Sequence, residues 1–212
     1  MCATVDRSVW YRQGVIAKTS ERPESPARRR ILDTAAALFY AEGVHAVGID
    51  RIIAEAAVAK ATFYHHFPAK DELVRAYLER EFERQRGALE AVRAASGGPR
   101  EALLAIFDAL AANGAAAGFR GCPFTNAAAE YPDPAHPVRR TIAAYRDWNR
   151  GLFQELCAGA GDPAPGRTAV LLMMIRDGIV VGSDLDDPGS LGPVVRDAVN
   201  RVLSGGETPG AG

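Results

Sequence analysis

The chain has 212 residues, 48% hydrophobic and 24% charged, the balance of a globular protein with enough apolar material for a buried core. Three cysteines (Cys2, Cys122, Cys157) are too few and too scattered for a disulfide framework or a metal site, and the longest strongly apolar run, Ala169 to Ile175, falls far short of the roughly 20 residues that span a bilayer. The net charge of −1 is unevenly spread: residues 1–70 carry ten Lys/Arg against seven Asp/Glu, and residues 71–212 carry fifteen against nineteen, a basic front and an acidic rear.

Residues 1–25 show no sustained periodicity and read as a mobile arm without an apolar signal core, so a cytoplasmic location is expected and no membrane partner. From Ala27 onward the pattern is helix after helix, with abundant alanine and little period-two alternation. The first helix is predicted from Pro26 to Glu42, its stripe Ile31, Leu32, Ala35, Leu38 and Phe39 inward and Gly43 its stop. A short helix follows with Ile49, Ile52, Ile53 and Ala56 inward. After a tight Ala57-Val58-Ala59 link, another runs from about Lys60 to before Pro68. A long helix starts at Lys70-Asp71-Glu72, acidic in its first turn as the helix dipole favours, and reaches Ser96-Gly97-Gly98.

Pro99 opens the next helix, and Gly118 to Pro137 is broken by glycine and proline around one short helix near Asn126. Val138–Ala158 is helical again. Two last helices are predicted over about Arg167–Val181 and Pro193–Leu203, joined by a polar loop Ser183–Ser190, before a Gly/Pro-rich tail. The expected class is all-α, with about nine helices. The expected domains are an arm 1–25, a helix-turn-helix DNA-binding domain 26–69, a helical effector-binding and dimerisation domain 70–204, and a disordered tail 205–212.

Function is most legible in residues 43–73, GVHAVGIDRIIAEAAVAKATFYHHFPAKDEL. Two short helices joined by about three residues form the unit that sets a second helix in the major groove of DNA. Ile49, Ile52, Ile53, Val58 and Phe63 pack the pair and leave Lys60, Thr62, Tyr64 and His65 outward. Lysine and tyrosine suit phosphates, and threonine suits base edges or thymine methyls. His65 and His66 point about 100° apart on a helix and read as one groove contact and one packing residue, with no metal expected. Arg28-Arg29-Arg30 reads as a solvated helix start, or as a further contact to DNA. No Gly-rich phosphate loop or nucleophile elbow is present, so neither an enzyme nor a cofactor is expected.

The stretch Val58 to Lys70, with Tyr64, Phe67 and Lys70 as Tyr-x-x-Phe-x-x-Lys, resembles the recognition helix and exit of the tetracycline-repressor (TetR) family, over residues 28–75. The resemblance implies that Tyr64 and Lys70 grip phosphates, Phe67 packs on the first helix, and Lys60 and Thr62 face the groove. With Gly48, His65 and Arg30 these make the expected DNA-binding set. The chain departs from the family where Val47-Gly48 replaces the frequent Thr-Ser, Ala57 the turn glycine, and Ala59 a serine cap. Gly48 still caps with little loss, whereas Ala57 either avoids a positive φ or is strained.

Behind the head, Gly121-Cys122 followed by Asn126 and Glu130 resembles one subset of the family in a region bordering the ligand pocket. Asn126 and Glu130 lie at i,i+4 and are expected to face one cavity, or else to act as structural caps. Phe107, Phe119, Cys122, Phe124, Tyr145, Trp148 and Met174 complete the expected pocket region, its ligand apolar or aromatic. Residues 169–175 are apolar all round, which predicts a second covered face. Val170, Met173 and Val181, with Val195, Val199 and Val202 on the last helix, are the expected isologous homodimer contacts. The expected function is a repressor released from a palindromic double-stranded DNA operator by a small-molecule effector. A DNA-binding activator or a ligand-independent repressor is the alternative, and a redox sensor through Cys122 a remote one.

Overall fold

Proline and glycine punctuate the first helix as its sequence demands. Helix α1 (Pro26–Glu42) opens on Pro26, whose missing N–H a first turn leaves unpaired anyway, and ends at Gly43, where φ is +92°. The computed structural model describes residues 25–186 and 188–204. Among them lie nine helices and no strand: α1, α2 (Ile49–Glu55), α3 (Lys60–His66), α4 (Lys70–Ala95), α5 (Pro99–Gly114), α6 (Pro123–Glu130), α7 (Pro137–Gly159), α8 (Pro165–Leu185) and α9 (Pro188–Leu203). The expected arm, apart from Ser25, and the expected tail beyond Ser204 lie outside the described residues, as does Cys2.

The described residues fall into two compact units, drawn from 1–90 with 127–141 and from 91–126 with 142–212. In the first, α1, α2 and α3 pack on one another around Ile31, Leu32, Ala35, Phe39, Ile52 and Phe63, all at most 4% exposed. Leu73, Val74, Tyr77 and Leu78 on the early turns of α4 belong to the same core, with the Tyr77 ring 5.8 Å from that of Phe39. In the second unit α5, α8 and α9 pack mutually through Leu103, Ile106, Phe107, Leu172 and Val199. Gly114 on α5 lets α8 approach so closely that a Cβ there would collide with the Ser183 side chain.

Two boundaries differ from expectation. Helix α8 continues through Ser183 to Leu185, and α9 begins at Pro188, so among the described residues the polar loop predicted over Ser183–Ser190 shrinks to Asp186. Ser183 is 6% exposed, so packing overrides the loop-like composition there. Pro193 lies inside α9 rather than opening it.

The α2–α3 link settles the question raised by Ala57: its φ is +50°, the left-handed region that an L side chain enters at a cost. Ala57→Gly is therefore expected to stabilise the protein by about 1 kcal/mol less glycine's extra unfolded-state entropy, a net gain of about 0.5 kcal/mol. A rise in the urea midpoint at unchanged m-value is the result to look for. A fall would mean the turn carries no strain.

Candidate functional site

The exposed side of α3 is built from what its core side leaves over. Phe63 is fully buried and Phe67, just past the helix, is 2% exposed, with Phe63 and Phe67 ring centres 6.2 Å apart. With those rings inward, Lys60, Tyr64 and His65 are exposed and Thr62 is half-buried. The Tyr64 ring stands edge-on to Phe63 at 5.3 Å, which fixes the phenol on a rigid base. The guanidinium of Arg28 lies 5.1 Å from the centre of the Phe67 ring.

Helices α2 and α3 lack side-chain caps: Gly48 and Ala59 precede them in extended conformations and offer none. Their orientation is secured by ion pairs instead. Arg51 donates through both Nη atoms to the Glu42 carboxylate and through Nε to Glu55 Oε1 at 2.8 Å, tying α2 to the end of α1. Arg30 Nε donates to the Ala56 carbonyl at 3.4 Å. Lys60 Nζ, expected to face DNA, sits 3.0 Å from Asp50 Oδ1, and that hydrogen bond raises the ammonium's affinity for its proton. Lys70 is partly buried, and its pKa is lowered by that burial against the opposing pull of Glu130 and Asp71.

Glu130, expected in the ligand pocket, does something else. Its carboxylate accepts the backbone N–H of Val44 at 2.8 Å and of His45 at 2.5 Å, in the turn between α1 and α2. A Cβ at residue 43 would stand 3.2 Å from Glu130 Oε1, a second reason for Gly43 besides its positive φ. Beside this clamp, Tyr131 donates its hydroxyl to Asp71 Oδ1 at 2.9 Å, and its ring lies 5.3 Å from that of His45. Asn126 is exposed and donates to the Arg120 carbonyl at 2.7 Å, so Asn126 and Glu130 hold different partners. One turn of helix separates them, but each is drawn to a different unpaired backbone group.

The second unit brings together part of the expected pocket set. Phe124 and Tyr145 stack face to face at 3.6 Å with planes 6° apart, and Cys122 is buried beside them. Phe107 packs on Phe153, ring centres 5.4 Å apart. Phe119 and Trp148 are half-buried, whereas Met174 is 65% exposed, so Met174 is not a buried pocket residue of this chain. The side chain that sequence reasoning missed is Arg176, 5% exposed, which donates to Tyr145 Oη at 2.6 Å and to Cys122 Sγ at 3.4 Å. The signal was present: Leu172, Met173, Arg176, Ile179 and Val180 recur at helical spacing, with one charge on an otherwise apolar stripe.

Among the expected dimer residues, Met173, Val195 and Val199 are buried within the chain itself and leave the candidate interface. Val170, Val181 and Met174 are exposed on α8, Val194 is exposed on α9, and Val202 is half-buried. Among the described residues no cluster of three His, Cys, Asp or Glu side chains suits a metal ion, and no helix is long and apolar enough to cross a membrane.

Residues 31–77, which hold the helix-turn-helix, match the profile of "Bacterial regulatory proteins, tetR family". A crystal structure of SCO4454, a TetR-family transcriptional regulator from Streptomyces coelicolor, is 42% identical, covers 84% of this chain and 95% of its own, and superposes with a TM-score of 0.81. The chain belongs to the TetR family of transcriptional regulators. The expectations of an all-α fold, a DNA-binding transcriptional regulator and a family outside the enzymes stand. The regulator LmrA of Bacillus subtilis is 27% identical over 161 residues, 73% of this chain and 85% of its own length. A cysteine mutant of CifR, solved with 26-bp double-strand operator DNA, is 20% identical with a TM-score of 0.70 over 85% of this chain and 98% of its own, a likeness of fold.

Proposed function

We propose that this TetR-family protein is a homodimeric repressor, released from a palindromic operator by a small apolar or aromatic molecule. In this reading residues 26–69 bind DNA and 70–204 bind effector and partner. The observation that carries it is α3 itself: Phe63 and Phe67 anchor one side, and Lys60, Thr62, Tyr64 and His65 are left on the other. Tyr64 and Lys70 would hold phosphates, Lys60 and Thr62 would read the groove, and Arg30 and the exposed backbone at Gly48 would flank it. The operator complex of CifR supports DNA as the partner of this fold.

Two recognition helices, one per half-site, must stand about 34–36 Å apart, which requires a dimer. The exposed apolar side chains Val170, Leu171, Met174, Val181 and Val194 supply a surface for a second copy. An effector that alters this spacing through α4 needs a coupling of only about 1–3 kcal/mol to act as a switch.

Fluorescence anisotropy against the DNA immediately upstream of the protein's own gene, with scrambled DNA as control, tests the reading. Tight, salt-sensitive binding by two protomers per palindrome is expected, and binding no tighter than to scrambled DNA would sink it for that operator. Within that assay Lys70→Ala is expected to weaken binding to all sequences and to reduce the salt slope by about 0.9, one phosphate's share. Thr62→Ala is expected to change the ranking of operator variants with the slope intact. Equal losses from both on every sequence would refute the division between gripping and reading residues.

A further inference from the structure

Arg176, buried in the second unit, has less negative charge around it than its burial calls for. Its Nη1 donates to Asp177 Oδ1 at 2.7 Å, but that carboxylate is already held by Arg146, through Nη1 to Oδ1 at 3.1 Å and Nη2 to Oδ2 at 2.7 Å. Two guanidiniums therefore share one carboxylate, and no second carboxylate is recorded in contact with either among the described residues. Burial pushes the Asp177 carboxyl upward, yet the hydrogen bonds and charges of Arg146 and Arg176 outweigh it and hold the group ionised below the usual range. The cluster carries one net positive charge.

On its other side Arg176 has only weak acceptors. Nη2 meets the Tyr145 hydroxyl at 2.6 Å and the Cys122 sulfur at 3.4 Å. Burial holds the Tyr145 phenol neutral far above its usual range. A phenol and a sulfur are a poor match for a planar fork of donors whose best partner is a carboxylate held by two parallel bonds. A buried charge is ordinarily matched by a counter-charge of its own, and here that place is filled by a phenol and a sulfur. The surroundings are amphipathic: the Phe124–Tyr145 stack, 3.6 Å between ring centres, adjoins the guanidinium, which lies 5.4 Å from the Tyr145 ring. In the single chain the Arg146 and Asp177 side chains are 42% and 36% exposed, and Asp177 lies on the same face of α8 as Met174 and Val181.

We propose that Arg176 is the anchor of the effector site, and that it takes a small monocarboxylate with an apolar or aromatic body. The carboxylate replaces the Cys122 sulfur and Tyr145 hydroxyl as acceptor on the guanidinium, and the body lies against Phe124 and Tyr145. This names the effector class of the ligand-responsive reading above and rests on it. Cys122 and Phe124 stand at the start of α6, so an anion drawn to Arg176 acts directly on that helix.

The test uses benzoate as probe and benzyl alcohol as its neutral counterpart, at constant ionic strength. Benzoate is expected to raise the thermal midpoint of the full-length protein, and benzyl alcohol to do so far less. Arg176→Met is expected to weaken benzoate binding by about tenfold or more. Equal shifts from the two probes, no shift from benzoate, or full benzoate binding by Arg176→Met would each overturn the proposal. If that variant fails to fold, Arg guanidinium 15N resonances of the wild type decide: a buried signal must move on benzoate titration, and an unmoved one overturns the site. Operator release is read separately. Release by benzyl alcohol alone keeps the effector reading and removes the anion. Arg176-dependent benzoate binding without release keeps the site and removes its role as effector site.

Discussion

Replacing Glu130 with alanine is expected to destabilise the turn between α1 and α2 by about 2–3 kcal/mol and to weaken operator binding with it. The carboxylate accepts two successive backbone N–H groups, those of Val44 and His45, at 2.8 and 2.5 Å. Bonds to an ionised acceptor are worth more than neutral ones, and the Val44 donor bond is partly buried, with Val44 as a whole 2% exposed. Once the acceptor is gone, water reaches His45 readily and Val44 poorly, so most of the loss falls on Val44. The turn leads directly into Gly48 and α2, so its loosening is felt by the whole reading head. Hydrogen exchange gives the readout: the Val44 and His45 amides should lose protection by about thirtyfold or more in Glu130→Ala. Glu130→Gln keeps one acceptor oxygen and should recover roughly half of the free energy. Unchanged protection in Glu130→Ala would show that the clamp contributes nothing.

The contrast between local signals and contacts distant in sequence explains what could be read in advance. The reading head is written in local signals: Pro26 and Gly43 bracket α1, Pro68 ends the exit from α3, and Asp71-Glu72 open α4, each within a few residues of the feature it sets. Glu130 and Val44 are 86 residues apart, and no period or cap joins them in the sequence. Asn126 and Glu130 shared a face by spacing alone, which says nothing about what that face meets. Arg176 was legible as a charge on an apolar stripe, but its partners Cys122 and Tyr145 come from 54 and 31 residues away. Helix α8 posed a different difficulty. A segment apolar all round has no preferred face, so the sequence could say that two surfaces cover it and not which residue meets which. Packing made the choice, placing Met173 at 7% exposure and its neighbour Met174 at 65%.

That choice yields the second large effect, a pair of charge substitutions with opposite consequences. Met174→Glu places a carboxylate on the exposed face of α8, where the single chain tolerates it, since surface substitutions usually change stability by no more than about 0.5 kcal/mol. In a dimer built on that face the same charge would be desolvated in each protomer, and an unpaired buried charge costs several kcal/mol. The expected result is a folded monomer by light scattering, with normal far-ultraviolet circular dichroism and operator binding lost for want of a second half-site. Val199→Asp behaves differently because Val199 is fully buried against α5 and α8 within its own chain. There the carboxylate has no water to turn to, and loss of the folded state is expected rather than clean dissociation. Val181→Glu, on the exposed face of α8 with Val181 at 50% exposure, should repeat the Met174 result and separates a face from a single contact. A Met174→Glu protein that remains dimeric and binds operator normally would move the interface off α8, whatever Val199→Asp does.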